Sequence, residues 1–300
     1  MKNLLRKLSK NKAFMFMDQL IYRIGDDEVF AIGAQLTYFL ILSVFPFIIM
    51  FLNIISYTPL VREEVLMNIT QYLPLEAQNL INGFAEEIIK TSSQELLSVA
   101  AIFGLWTASS GISAVMRAIN KAYDTEENRP FYKSKLLSIF FTITLLISLT
   151  LVFLTLVFGE VLGNQLFSYF GLTDVFLGLW SVLRMLIPIL YMILTFTLFY
   201  RFAPYTKNSN NVKLRNSMPG AIFTTLGWLL TSTIFSYYVN NFGRYTITYG
   251  SIGGIIILLV WLFISSIIIV LGGEINATTK YFRTNGYEEI GERSIVKKYL

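Results

Sequence analysis

The chain has 300 residues, 24 basic against 19 acidic side chains and a formal net charge of +5, and 54% of it is hydrophobic while only 14% is charged. That is a membrane composition, and orientation plus contact with anionic headgroups accounts for the basic excess, so no nucleic-acid partner is implied. The absence of cysteine excludes disulfides and thiolate metal sites, and the absence of histidine removes the commonest general base and metal ligand.

Residues 1–30 read as an amphipathic cytoplasmic segment. Leu4, Leu5, Leu8, Phe14, Met17, Leu20, Ile21 and Ile24 lie near helical spacing, the pattern of an interfacial helix. Asp18 and Arg23 interrupt its apolar patch, so it is no ordinary signal peptide. Asp26, Asp27 and Glu28 then mark the approach to the first span.

Six apolar stretches follow, at 31–56, 96–116, 136–159, 178–200, 218–239 and 250–273. Each supplies the ~20 residues needed to cross a hydrocarbon core ~30 Å thick. From Leu136 to Gly159 no residue is charged. Lipid offers the backbone no hydrogen bonds, so these stretches must be helices. Pro46 inside the first predicts a kink or strong tilt. In the external connection 57–95, Val61, Val65, Leu66, Ile69 and Leu73 recur at helical spacing, as do Ala77, Leu80, Ile81, Phe84 and Ile88 after Pro74. Two external amphipathic helices are expected there, as a solvated cap over the bundle, or lying in the interface, or dipping into a protein-lined cavity. Ala100, Gly104 and Ala108 give the second span a small-residue face and a central place in the bundle. Pro219-Gly220-Ala221 suits the start of the fifth, and the turn composition of 240–250 joins the fifth and sixth as a hairpin.

The expected fold is thus an all-α membrane protein. Six transmembrane helices fill a domain over 31–277, with the N-terminal interfacial helix before it and a cytoplasmic tail, 278–300, after it. Twenty basic residues flank the spans on one side and three on the other, with Arg184 inside a span. The positive-inside rule places both termini in the cytoplasm of a cell-membrane protein.

Charged and polar residues inside spans are the candidate functional groups, because each is costly in lipid. Glu160 and Arg184 lie toward the outer side, where they suit a structural clasp or a fixed cation facing an anionic headgroup. Toward the cytoplasm, Glu274 follows Gly272-Gly273, and Arg117 and Arg201 are its expected cationic partners, in a packing clasp or a gate. Asn120, Asn276 and Gln35 fall at similar depth.

Several segments carry a family resemblance: GAQLTYFLILSVFPF at 33–47, WTASSGISAVMRAINKAYD at 106–124, YRFAP at 200–204, PGA at 219–221 and YGSIGGIIILLVWLFISSIIIVLGGEINA at 249–277. In this order they resemble the YihY/BrkB membrane proteins. Some members of that family have carried a label of tRNA-processing ribonuclease. The residues speak against it: phosphodiester hydrolysis usually needs clustered carboxylates, metal-holding histidines or a histidine acid–base pair, and the cytoplasmic acids here are scattered. No catalytic residue, metal or cofactor is expected, and no Walker-type loop is present for ATP. The leading functional expectation is a transporter or flippase-like permease for a lipid or other amphiphile. The alternative is a non-transporting membrane scaffold that organises partners or the envelope. Membrane lipids are the expected partners, with a homo-oligomer or a further protein as the other class. A substrate-shaped cavity reaching the midplane favours transport, and a tightly packed bundle favours the scaffold.

Because the chain has no cysteine, its topology is directly testable. Single cysteines replacing Asn79 and Asn208 should label from opposite sides of the membrane, and reaction of both with an impermeant reagent from outside would overturn the orientation.

Overall fold

The computed structural model describes residues 11–56, 94–168, 173–205, 212–242, 252–286 and 294–296. Among them are seven helices and no strand: α1 (Lys12–Asp26), α2 (Val29–Ser56), α3 (Gln94–Ala122), α4 (Phe131–Ser168), α5 (Thr173–Phe202), α6 (Leu214–Phe242) and α7 (Ile252–Asn285). Four segments, Ser98–Ala122, Gly178–Phe202, Leu214–Val239 and Gly253–Asn285, are long and apolar enough to cross a membrane. A fifth such unit is α1 together with Val29–Val44, bent by 56°. The uncharged stretch 136–159 falls inside α4, a helix of 38 residues. The two helices expected over 57–95 lie outside the described residues, as does the 243–251 link.

Helix α1 starts where the Asn11 side chain accepts from the Ala13 amide at 2.9 Å. It stops where Glu28 takes the left-handed conformation, φ 55°, and its amide turns back to the Gly25 carbonyl at 3.2 Å. Its outward side carries Met17 and Ile21, both about half exposed, while Met15, Gln19, Leu20 and Arg23 are buried against the bundle. The interfacial reading of α1 therefore describes its outer side only. The face turned to the protein mixes apolar Met15 and Leu20 with polar Gln19 and Arg23.

Helices α6 and α7 form an antiparallel pair held by a ladder of polar contacts. The Asn276 side chain accepts from the Gly220 amide at 2.7 Å and donates to the Ser217 carbonyl at 3.0 Å. Farther along, Trp228 Nε1 donates to Ser265 Oγ at 3.1 Å and Trp261 Nε1 to Ser232 Oγ at 3.2 Å. With no hydrophobic drive between helices in lipid, such bonds and close backbone approach hold the pair. Glycine makes the approach possible. A Cβ on Gly220 would overlap the Gly272 carbonyl oxygen, and one on Gly272 would overlap Thr224 Oγ1 and the Tyr200 hydroxyl. Tyr200, fully buried on α5, donates to the Ile269 carbonyl at 2.6 Å and lies 2.7 Å from Thr224 Oγ1, so α5, α6 and α7 meet at one point.

Pro219 does not open α6, which begins at Leu214. The Arg215 carbonyl, which a proline ring nitrogen cannot serve, accepts instead from Arg283 of α7 at 2.7 Å. The helix continues through proline because a neighbour supplies the missing donor.

Helix α3 is central, packing on α2, α4 and α7. A Cβ on Gly111 would lie 3.0 Å from Leu36 of α2, and one on Gly273 the same distance from Ile119 of α3. At the basic end, residues 294–296 dock on α1, where the Asp18 carboxylate accepts from the Ser294 hydroxyl and from the Val296 amide at 3.2 Å.

Gly272→Ala should destabilise the purified protein in detergent by about 1–3 kcal/mol, the usual cost of overpacking. Gly254→Ala, with nothing within 4 Å, should stay within about 0.5 kcal/mol of the parent in the same thermal melt. Equal effects at the two positions would refute the close-approach argument.

Candidate functional site

At the basic end, α1 and α3 finish side by side and each caps the other. Arg23 Nη1 of α1 donates to the Ala122 carbonyl that ends α3, and Lys121 Nζ of α3 donates to the Asp26 carbonyl that ends α1, at 2.9 Å. Cations are favoured at helix C-termini, where unmatched carbonyls and the helix dipole present negative charge. Beyond Ala122 the chain turns in a Schellman motif: Thr125 N bonds to the Asn120 carbonyl at 3.0 Å and Asp124 N to that of Lys121 at 3.1 Å. Asp124 is left-handed, φ 55°, and its carboxylate lies 3.6 Å from Arg23 Nη2. Glu28 and Asp124 are the only non-glycine residues with positive φ among those described, and both border this place.

The polar face of α1 contributes Gln19, Arg23 and Asp27, all at most 3% exposed and spaced by one helical turn plus a fraction. Opposite stands α7 with Glu274 and Thr278, 1% and 0% exposed and also four residues apart. Tyr123, just past the end of α3, sits between them. Burial first, then the negative charge of Glu274, raises its phenol pKa, while Arg23 acts in the opposite direction. Lys280 Nζ lies 5.1 Å from the Tyr123 ring centre. Counted from the ring contact of Phe16 with Phe282 (6.2 Å between centroids), Arg23 lies seven residues along α1 and Glu274 eight residues back along α7. Tyr123 thus lies within electrostatic reach of both Glu274 on α7 and Arg23 on α1, and the Phe16–Phe282 contact holds those two helices together.

Glu274 faces the interior, but Arg117 and Arg201 do not reach it. Arg117 is exposed, between Ala114–Met116 and Ala118–Asn120 that are buried, and Arg201 lays its guanidinium over the Phe202 ring at 5.3 Å. Neither makes an ion pair with Glu274 among the described residues. Arg23, contributed by the segment read as interfacial, is the cation that acts on Tyr123 against Glu274. Spacing held the signal: Gln19, Arg23 and Asp27 recur every four residues, which places one polar stripe on the helix.

Asn120 and Asn276 are structural clamps. Asn120 Oδ1 accepts from the Tyr205 amide and its Nδ2 donates to Glu127, both at 2.6 Å. Glu127 also accepts from Arg129 Nε, whose guanidinium donates to the Ala203 carbonyl, each at 2.6 Å. The RFAPY segment after α5 is thereby fastened to the α3–α4 connection. Gln35 is exposed on α2. Arg184 is exposed on α5 beside Val182, Leu183, Met185 and Leu186. The Glu160 side chain lies outside the described ones.

A second feature lies at mid-depth, an apolar cavity of about 370 Å³ between α2, α3, α4 and α7. Ala100, Gly104 and Ala108 line one wall, and Leu40, Val44 and Pro46 another. The small residues of α3 do not close the bundle here. Beside Pro46 the packing leaves space, and Arg184 is not among its walls. Ser43, the polar side chain that lines it, donates to the Leu40 carbonyl at 2.7 Å.

The chain belongs to the family described as virulence factor BrkB, whose model matches residues 20–294. It is 42% identical over 262 residues to the ribonuclease-like protein YfkH of Bacillus subtilis, covering 87% of this chain and 94% of that one. It is 25% identical to a UPF0761 membrane protein of Alteromonas mediterranea, over 93% and 92% of the two chains, and 23% identical to one of Haemophilus influenzae, over 90% and 94%. This is a membrane protein of that family. No solved structure matches it. Among the described residues no group of three acidic side chains is placed to hold a metal ion.

Arg23→Ala should lower stability by about 1.5–3 kcal/mol, the range for a hydrogen bond from a charged donor, and Arg23→Lys should restore only part of it because lysine lacks the fork. Thermal melting in detergent measures both, and an unchanged melt for Arg23→Ala would show the reciprocal cap to be dispensable.

Proposed function

We propose that this chain is a permease or flippase-like transporter for a lipid or other amphiphile. The supporting observation is the apolar cavity at mid-depth. Its volume falls within the range of small-ligand sites, about 300–1,000 Å³, and its walls offer almost nothing to a polar solute. An acyl chain or similar apolar group suits it. Pro46 leaves α2 without one internal hydrogen bond beside it, and the small side chains of α3 face it, so the walls are built for adjustment rather than close packing.

In this reading the six predicted spans stand in the cell membrane with the basic end in the cytoplasm. The buried cluster around Glu274 closes that end. Arg184, exposed on α5, is available to an anionic headgroup. A headgroup crosses while its chains stay in lipid or in the cavity. The driving force is a gradient or a partner, or transport is passive.

Vesicles containing the purified protein test the reading. Headgroup translocation of a panel of labelled phospholipids and other amphiphiles should exceed that of empty vesicles, and Ala108→Phe, which fills the cavity from its α3 wall, should slow it about tenfold. Arg184→Ala should slow anionic lipids more than zwitterionic ones. If nothing in the panel moves faster than in empty vesicles, with or without ion gradients, the scaffold reading replaces this one.

A further inference from the structure

We propose that the exposed side of the α3–α4 pair, toward the basic end, binds an anionic phospholipid, with its phosphate held by Lys135 and Trp106 and approached past Arg117. As the place where a transported lipid enters, this site rests on the transport reading; as a binding site it stands on its own geometry.

The unusual group is Lys135. Between α3 and α4, Ser113 Oγ bonds to Ser138 Oγ at 2.8 Å, and Ser138 reaches Met116 Sδ at 3.3 Å. Lys135 lies on the basic side of that contact. Its ammonium nevertheless donates to Ser110 Oγ at 3.0 Å and to the Trp106 carbonyl at 3.1 Å, and both residues precede Ser113 on α3. A lysine at the end of a span usually snorkels outward to headgroups and water. Lys135 turns inward, to residues within the stretch 96–116.

Two donors remain unused there. An ammonium has three N–H bonds, and Lys135 places two of them on protein oxygens. The same ammonium lies 4.1 Å from the centre of the Trp106 ring. The Trp106 indole N–H has no hydrogen-bond partner among the described residues, whereas those of Trp228 and Trp261 are held by serines. Arg117 follows Ser110 by seven residues and Trp106 by eleven, two and three helical turns, so the three share one face of α3. It is exposed, and its side chain makes no hydrogen bond or ion pair among the described residues. Lys135 has no ion pair among them either.

Two cations that no carboxylate answers select an anion, and a phosphate accepts from ammonium, guanidinium and indole alike. The rest of the face selects the source of that phosphate. Val99, Ile102 and Phe103 continue it on the other side of Trp106, each 60–70% exposed. The face therefore runs from apolar near the middle of the bundle to cationic at the basic end. That is the polarity of a phospholipid lying in the leaflet at that end, with its chains along Phe103 and its headgroup toward Arg117. A free phosphate would gain nothing from the apolar half.

Thermal unfolding of the full-length protein in detergent micelles, titrated with phosphatidylglycerol, tests the site. This lipid should raise the melting temperature saturably, by about 2–4 °C or more, and phosphatidylcholine at the same mole fraction should raise it far less. Lys135→Gln should move the midpoint of the response about tenfold, and Arg117→Gln at least about threefold. Lys213→Gln, exposed just before α6, should leave it in place. If Lys135→Gln does not fold, Arg117→Gln decides, because its side chain has no hydrogen bond or ion pair to lose. A melting temperature indifferent to phosphatidylglycerol overturns the site. So does a response that Lys213→Gln shifts as much as Arg117→Gln does, since it leaves only diffuse attraction to a basic surface. Equal protection by phosphatidylcholine, or by glycerol phosphate without acyl chains, overturns an anionic lipid as the occupant. Vesicles with labelled lipid separate the two proposals. Protection without lipid movement keeps the site and removes transport, whereas lipid movement without protection does the reverse.

Discussion

The close approach of α6 and α7 at Gly220 and Gly272 is the contact on which the rest of this bundle depends. In lipid nothing is gained by moving one apolar helix from hydrocarbon to another helix, so association needs backbone proximity and hydrogen bonds. Those two glycines provide the first, and Asn276, Tyr200 and Thr224 provide the second. The consequence runs along five residues of α7. Gly272 meets α5 and α6, Gly273 meets Ile119 of α3, Glu274 turns to Tyr123, and Asn276 returns to α6. A segment that looks like one glycine-rich signature is a rotating set of contacts, each residue assigned to a different neighbour by the helical period.

Much of this was legible in the sequence, for physical reasons. Hydrocarbon admits only helices, so apolar length alone placed four segments that meet the length and hydropathy of a membrane span. The interior position of Glu274 followed from the cost of a carboxylate in lipid. Its surroundings did not follow, because depth along the chain says nothing about azimuth around a helix. Arg117 has the right depth and the wrong face. Arg23 is harder to read for the opposite reason: apolar Met17 and Ile21 mark the side of α1 turned away from the protein, while Arg23 is buried on the other. An interfacial helix has three environments, lipid, water and protein, and a hydrophobic stripe marks only the first.

Pro219 shows a second limit of local reading. Proline two residues after Ser217 looks like a beginning, since the first turn of a helix has no use for its missing N–H. Arg283, sixty-eight residues beyond Arg215, supplies the donor that proline lacks and lets α6 start earlier. No window of sequence contains both residues. The same holds for Asn120, whose amide joins Glu127 to the backbone of Tyr205 and so fastens two connections that are remote in the chain.

The two features that bear on function are sorted by depth, and the sorting is itself an argument. The cavity at mid-depth is apolar, and the buried charges lie near the helix ends, where α1, α3 and α7 meet. A pore for a polar solute would need the reverse, with polar groups at the centre, where water is hardest to retain. The proposed transport of an amphiphile would use the apolar space at the middle for its chains and the charged end for its headgroup. The small residues of α3 differ in what they do, since Gly111 lets Leu36 of α2 come into contact with α3, while Ala100, Gly104 and Ala108 line the cavity. One helix is close-packed toward its charged end and recessed at its middle, so a change in how α1 and α7 grip that end would be felt along α3 at the cavity wall.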